Sequence, residues 1–388
     1  MGTCKKMKHY EKLWQKQPFG SSSGINQESD VLVNITNDGV DVNQLWTEVQ
    51  ALLSAWNAER TAVAQLLSHT TINAADAIPQ SIADESFEPA TEVGEPIGLR
   101  SPGNAVLLGN TLEDWDRGSR FTWKFLRDST AEQVRSVTNL ILAADNKLTN
   151  GLIMNRLFDP TPDTNEFGHT CYSLYNGQDQ MAPPMYLGKT FDRNHSHYTV
   201  SGSDVIDSGD LDDAVKNVQE HGYGIDAPSQ LIAFMNPVEA DQITGFKAGV
   251  LNNNDAKAIH DFIPSQGAPP YYTSNEIVGK IAPAQFNGLK IDGSYGPVWI
   301  SRTQYIPAGW FCVVASDGPN SPNNAVSVRQ HTNPTYRGLR TIPGPNPAYP
   351  IQSSFYTRCI GVGTRHRGAA AVVQIKATGA YEPPEIPM

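Results

Sequence analysis

The segment STAEQVRSVTNLILAADNKLTNGLIMNRLF, residues 129–158, decides how the rest of the chain is read. Ser129-Thr130-Ala131-Glu132 has the spacing of a capping box, in which the hydroxyl and the carboxylate each satisfy a free backbone N–H. Behind it Val134, Val137, Ile141, Leu148, Leu152 and Leu157 recur at helical spacing, and Asp159-Pro160 ends the run after Phe158. A helix of this length reaches roughly 45 Å at 1.5 Å per residue, more than most globular helices. It reads as a structural spine.

Upstream of the spine the helical period disappears. Residues 78–127 are broken by Pro79, Pro89, Gly94, Pro96, Gly98, Pro102, Gly103, Gly109 and Gly118, and alternation at Ala105–Leu108 and Arg120–Leu126 predicts a long two-stranded excursion. Its charges are segregated: Asp84, Glu85, Glu88, Glu92 and Glu95 lie on the outgoing limb, Arg117, Arg120, Lys124 and Arg127 on the return. An isolated hairpin is marginal in water, so a loop of this length is expected to find its partner on another molecule. Before it, residues 43–68 carry Leu45, Trp46, Val49, Leu52, Leu53, Trp56, Val63, Leu66 and Leu67 at the spacing of one amphipathic helix. The first twenty residues set Lys5, Lys6, Lys8, Lys12 and Lys16 against Glu11 alone, interleaved with Tyr10, Trp14 and Phe19. That composition suits a solvated tail, or an arm that binds a neighbouring subunit or an anionic polymer.

Downstream, residues 160–200 are polar, aromatic and rich in turns. Ser208 opens a helix with Leu211, Val215 and Val218 on one face and His221-Gly222-Tyr223-Gly224 as its exit. Gln230–Met235 reads as a buried strand, and Pro237 starts a helix through Phe246. Strands are expected at Lys290–Ile291, Pro297–Ser301, Phe311–Ala315, Ile360–Val362 and Ala369–Lys376, with a long irregular segment from Pro319 to Pro350. The fold class is α+β, without internal repeats.

The 388 residues carry 29 Lys and Arg against 40 Asp and Glu, a net charge of −11, with 39% apolar residues. Global disorder is excluded, and the length suits two or three domains. The acidic balance argues against a dedicated nucleic-acid binder, which needs clustered Lys and Arg. No run is long and apolar enough to cross a bilayer and no secretory signal is evident, so an intracellular, soluble protein is expected. Cys4, Cys171, Cys312 and Cys359 are far apart, with no CxxC pair. They are expected to be reduced thiols.

Few residues suggest chemistry. His169-x-Cys171 and His195-x-His197 place pairs of ligands on one face of a strand and could build a tetrahedral zinc site, although ordinary surface histidines explain them more simply. Gly222-Tyr223-Gly224 and Gly361-Val362-Gly363 lack the third glycine and following helix of a dinucleotide loop. There is neither a P-loop nor a G-x-S-x-G elbow. Asp210, Asp212 and Asp213 fall in the first turn of a helix, where they complement its dipole. No catalytic constellation and no cofactor are expected, and the composition leans towards assembly.

The order of these features, with "ADNKLTNGLIMNRLF", "HGYG", "LIAFMNP", "YIPAGWFCVVAS" and "IGVGTRHRGAAAVVQI", resembles the major capsid proteins of tailed bacteriophages with the Hong Kong 97-like fold. The similarity covers roughly residues 70–380. It implies an N-terminal arm with its amphipathic helix (1–78), an extended loop or E-loop (79–127), a peripheral domain with the spine helix (128–205 and about 352–376) and an axial domain (206–351 and about 377–388). It also implies a virion shell of homo-pentamers and homo-hexamers assembled in the host cytoplasm, with scaffolding, portal and decoration proteins as partners and double-stranded DNA loosely enclosed. Only some 70 residues precede the loop, so scaffolding is a separate protein or the arm is retained. Assembly contacts are expected at Glu85, Glu88, Glu92, Glu95, Arg117, Arg120, Lys124 and Arg127 of the loop, and at Lys5, Lys6, Lys8, Lys12, Lys16 and Trp14 of the arm. Some relatives cross-link a loop lysine to a neighbour. Lys124 is the only lysine in the loop and no catalytic Glu is identifiable, so that chemistry is not carried over. An encapsulin-like compartment enclosing cargo enzymes shares the fold, and a zinc enzyme built on His169, Cys171, His195 and His197 is a more distant alternative.

Overall fold

The computed structural model describes residues 35–80, 105–226, 228–267, 281–343 and 353–388. The arm residues Lys5, Lys6, Lys8, Lys12, Trp14 and Lys16 and the loop carboxylates Asp84, Glu85, Glu88, Glu92 and Glu95 lie outside them. The chain divides into two compact units: residues up to Ser54 with Asp116–Ile141 and Thr341–Tyr356, and Ala55–Trp115 with Leu142–Arg340 and Thr357–Met388.

The helices are α1 (Val42–Ala58), α2 (Ala62–Leu67), α3 (Trp123–Asp128), α4 (Ala131–Phe158), α5 (Ser208–Gln219) and α6 (Pro237–Ile243). The amphipathic stretch 43–68 is therefore two helices. Thr61 caps a new one, its hydroxyl accepting from Ala64 N at 3.2 Å and donating to Asn150 Oδ1 at 2.7 Å. The strand expected at Arg120–Leu126 is instead α3, with Thr122 as N-cap. Because Ser129 N–H closes α3 on Phe125 O, the spine's capping box slips by one residue. Thr130 N–H donates to Gln133 Oε1 at 2.9 Å, and Gln133 N–H returns to Thr130 Oγ1 at 3.4 Å. In the first unit Val42, Leu45, Phe121, Leu126, Ala131 and Val134 form a small core, and the Asp38 carboxylate accepts from Ala131 N.

In chain order the strands are β1 (Ser68–Thr71), β2 (Ala75–Pro79), β3 (Ala105–Gly109), β4 (Glu113–Arg120), β5 (Asp163–Thr164), β6 (Thr170–Cys171), β7 (Tyr198–Val200), β8 (Gln230–Met235) and β9 (Phe262–Pro264). They continue as β10 (Gln285–Phe286), β11 (Leu289–Lys290), β12 (Gly293–Tyr295), β13 (Val298–Arg302), β14 (Trp310–Ser316), β15 (Val326–Gln330), β16 (Leu339–Pro343), β17 (Ser353–Thr364) and β18 (Ala370–Gln374). The segment Pro319–Pro350 is thus less irregular than expected, since β15 and β16 lie within it.

The main core surrounds a seven-stranded sheet in the order β7-β18-β14-β8-β13-β12-β9. β8, β14 and β18 are buried almost throughout, which is why they read as continuous apolar runs rather than alternating ones. α5 packs on β18 and β14, and α6 on β13. A second sheet runs β1-β15-β17-β16, with β4 also on β17. In it β1 is parallel to β15 and β15 antiparallel to β17.

The inward face of α4 includes Thr138, Asp145, Thr149 and Asn150 beside Ile141, Ile153 and Leu157. Gly151, in mid-helix, would cost about 1 kcal/mol relative to alanine. A Cβ there would lie 2.6 Å from Pro387 O, because the C-terminal segment crosses the helix at this point. Tyr381 Oη donates to Phe158 O at 2.7 Å at the helix end. Tyr381 and Pro387 thus lie beside α4.

Candidate assembly surfaces and a histidine cluster

β2 and β3 pair antiparallel from Ala75↔Gly109 to Pro79↔Ala105, forming the stem of the expected loop. Its root is built on Asn110, which is buried. Asn110 N–H donates to Ala74 O at 2.9 Å, its Nδ2 donates to Asn73 O, and its Oδ1 accepts from Ser327 Oγ. Asn110 O accepts from Arg329 Nη1 at 3.0 Å. The Arg329 guanidinium is itself buried, pairs with Glu166 at 2.7 Å and lies over Phe167. Beside the root the chain touches itself backbone to backbone. A Cβ at Gly361 would lie 1.9 Å from Thr111 O, one at Gly363 2.7 Å from Gly109 O, and one at Gly109 2.8 Å from Thr170 O. The Gly361-Val362-Gly363 motif is a packing device for the loop root.

Arg117 and Arg120 project from β4, and Lys124 and Arg127 from α3, all four exposed. They lie beyond the β2–β3 stem rather than on its return strand. Arg127 pairs with Asp128 at 2.6 Å. Another exposed surface went unnoticed in the sequence. Residues 249–258 form a hooked loop closed by Gly249 N–H to Ala258 O at 2.8 Å and Asn252 N–H to Ala256 O at 2.8 Å, and around it Val250, Leu251 and Ile259 are more than half exposed. The apolar residues flank an Asn-rich turn, so in the sequence they read as part of an ordinary loop.

In the second unit Asp145 accepts from Trp56 Nε1 at 2.9 Å and from Arg358 Nη1 at 3.3 Å, tying α1, α4 and β17 together. At the other end of the late motif Arg367 is fully buried. It pairs with Asp179, donates to Ser173 O at 2.8 Å and stacks on Tyr175 at 4.4 Å.

Of the four candidate zinc ligands, the structure brings His195 and His197 together with His221, and not with His169 and Cys171. Cys171 is buried on β6, and burial pushes its thiol up to about 11. The three histidines offer ligand atoms within 4.8 Å of one another. They arrive from separate segments: a turn closed by His195 N–H on Asp192 O, the entry to β7, and the exit of α5. Phe191 stacks on His221 at 4.0 Å, and Tyr175 lies 6.0 Å away on the same ring. His195 Nε2 and His221 Nε2 are 2.9 Å apart. His197 Nδ1 is 2.7 Å from Ala370 O, and its Nε2 has no partner although the residue is fully buried. Burial depresses all three rings: His195 below its usual range, His221 to about 3 and His197 well below it. Neighbouring histidines add to the depression of His197 and His221.

Among the described residues no helix is long and apolar enough to cross a membrane. No protein-family model matches the chain, and neither does any curated protein. Among solved structures, a chain of Mycobacterium phage Patience is 36% identical, matching 94% of this chain and 97% of that one with a TM-score of 0.67. The capsid of a native GTA particle (12% identity, 94% and 96% covered, TM-score 0.42) and the holo-SrpI encapsulin complex of Synechococcus elongatus (13%, 87% and 98%, 0.40) are too remote in shape to add to the assignment. The match to the phage chain, over 94% of this sequence at 36% identity, shows that this protein belongs to the Hong Kong 97-like major capsid proteins, subunits of a virion shell.

Proposed function

We propose that this is the major head protein of a tailed double-stranded DNA bacteriophage, forming pentamers and hexamers that close into an icosahedral shell around the genome. The observation that carries this reading is the 36% identity to a phage chain over 94% of the sequence. On this reading the arm (1–78), E-loop (79–127), peripheral domain (128–205, about 352–376) and axial domain (206–351, about 377–388) each serve assembly. The Asn110–Arg329 root gives the E-loop a rigid base. The basic quartet Arg117, Arg120, Lys124 and Arg127 meets carboxylates of an adjacent subunit, among which Glu85, Glu88, Glu92 and Glu95 are candidates, and sets register more than strength. Val250, Leu251 and Ile259 bury against the next copy around the capsomer. Lys5, Lys6, Lys8, Lys12, Lys16 and Trp14 strap the arm to neighbours. Scaffolding, portal and decoration proteins are the other partners, and an acidic subunit holds packaged DNA loosely.

The test is negative-stain microscopy of the full-length chain expressed alone and with its scaffold. Five- and six-fold rings and closed shells that package DNA with the portal are expected. Shells that instead enclose a co-expressed enzyme and never DNA would replace the phage reading by the compartment one, and a strictly monomeric chain under every condition would end both.

A further inference from the structure

We propose that His195, His197 and His221 form a three-nitrogen site for a divalent transition ion, zinc by preference, inside the capsid subunit. The orientation of His197 carries the argument. A backbone carbonyl accepts only from an N–H, so the 2.7 Å contact to Ala370 O puts the ring's proton on Nδ1 and leaves a lone pair on Nε2. That nitrogen is fully buried and has no donor to satisfy it, a situation costing about 1–3 kcal/mol when nothing fills it. An Nδ1–H held by a carbonyl is also the arrangement that prepares a histidine to bind metal through Nε2.

The other two rings fit the same occupant. His195 Nε2 and His221 Nε2 face each other at 2.9 Å, and one shared proton would satisfy that pair while leaving His197 unanswered. A metal ion answers all three. Two nitrogens at 2.0–2.1 Å from a tetrahedral ion stand about 3.3 Å apart, so small ring rotations convert the cluster into a coordination site. Neutral imidazole is the form that ligates.

Three neutral imidazoles without a carboxylate suit Zn²⁺, Co²⁺, Ni²⁺ or Cu²⁺ and are poor ligands for Mg²⁺ or Ca²⁺. Lys189 and Arg367 act against a cation here and Glu220 acts for it, so affinity rests on the three lone pairs. Of the three rings only His195 is partly exposed, so solvent would reach a bound ion from that side. Bound there, the ion staples the 192–195 turn and the α5 exit to β7, at the side of the main sheet. Its role is structural.

The test uses the full-length chain, stripped with chelator and re-equilibrated with Zn²⁺ or with Co²⁺ as a visible reporter. After gel filtration, about one zinc per chain and the intense visible bands of tetrahedral Co²⁺ are expected. His195→Gln alters a partly exposed ring and should leave the fold intact by circular dichroism, yet hold less than about a tenth as much metal. His197→Gln should do the same, and zinc should raise the thermal midpoint of the wild type but of neither variant. Absence of zinc from the re-equilibrated wild type, or equal metal content in wild type and a folded His195→Gln, would overturn the proposal.

Discussion

Gly361→Ala places a Cβ 1.9 Å from Thr111 O and 2.3 Å from its carbonyl carbon, main-chain atoms that no rotamer change can move. Ordinary contact begins near 3.4 Å, so Thr111 must retreat by about 1.5 Å. Three hydrogen bonds depend on its present position: Thr111 N–H to Val362 O at 3.1 Å, Thr111 Oγ1 to Val362 O at 3.0 Å, and Val362 N–H to Thr111 Oγ1 at 3.0 Å. Each lengthens beyond bonding range, at about 1 kcal/mol apiece. Alanine returns about 0.5–1 kcal/mol by reducing the freedom of the unfolded chain. The net loss is about 2–3 kcal/mol, and the disturbance falls on the neighbouring Asn110 root. Gly118→Ala is the control, a glycine in β4 whose Cβ would meet nothing nearer than Phe355 at 3.7 Å. Urea denaturation of unassembled chains, followed by tryptophan fluorescence, should lower the midpoint of Gly361→Ala and leave that of Gly118→Ala at or slightly above wild type. Equal midpoints for the two variants would refute the idea that backbone contact, rather than strand propensity, dictates glycine at 361.

Asp145→Ala removes the acceptor shared by Trp56 and Arg358, and a loss of about 2–4 kcal/mol is expected in the same denaturation assay, since a half-buried guanidinium is left without its partner. Asp210 accepts from Asp207 N–H in the cap of α5, and burial raises its carboxyl from 3.8 to about 7. The folded state therefore holds this proton more tightly than the unfolded one, and stability falls as pH rises from about 4 to 7. Asp210→Asn keeps an acceptor without the charge, so its unfolding free energy should match wild type near pH 4 and exceed it at pH 8 by at most about 4 kcal/mol, seen as a higher thermal midpoint. Single Arg→Ala changes at 117, 120 or 127 should leave shell yield unchanged, exposed pairs being worth about 0–1 kcal/mol. Reversing all four of Arg117, Arg120, Lys124 and Arg127 to Glu should abolish closed shells by sedimentation while monomer stability stays the same.

Where sequence reasoning succeeded, the signal was local. The spine, the α5 exit and the buried strand at 230–235 follow from period, glycine placement and apolar runs, and the positive φ values of Gly222 and Gly224 bear out the exit. Where it missed, the cause lay across long separations. The capping box slipped because Ser129 already closes α3. Asp145 and Asn150 face inward because Trp56, Arg358 and Thr61 meet them there, and helical period alone assigns such residues to solvent. Of the proposed zinc ligands only the i, i+2 pair His195 and His197 came together. The third ring, His221, was in view as part of a helix exit, but nothing in the spacing linked it to a turn 26 residues earlier.

The position of β18 has a kinetic side. Residues 370–374 come after every other strand of the main sheet in chain order, yet they form an interior strand, between β7 and β14. β1, from the early part of the chain, must likewise wait for β15 before it has a partner. A ribosome-bound chain therefore holds open sheet edges until residue 374 has emerged, and folding is governed by the closing of long loops rather than by early local contacts. The fold thus carries a slow, aggregation-exposed interval before its sheets close, the interval in which chaperones have the most to do.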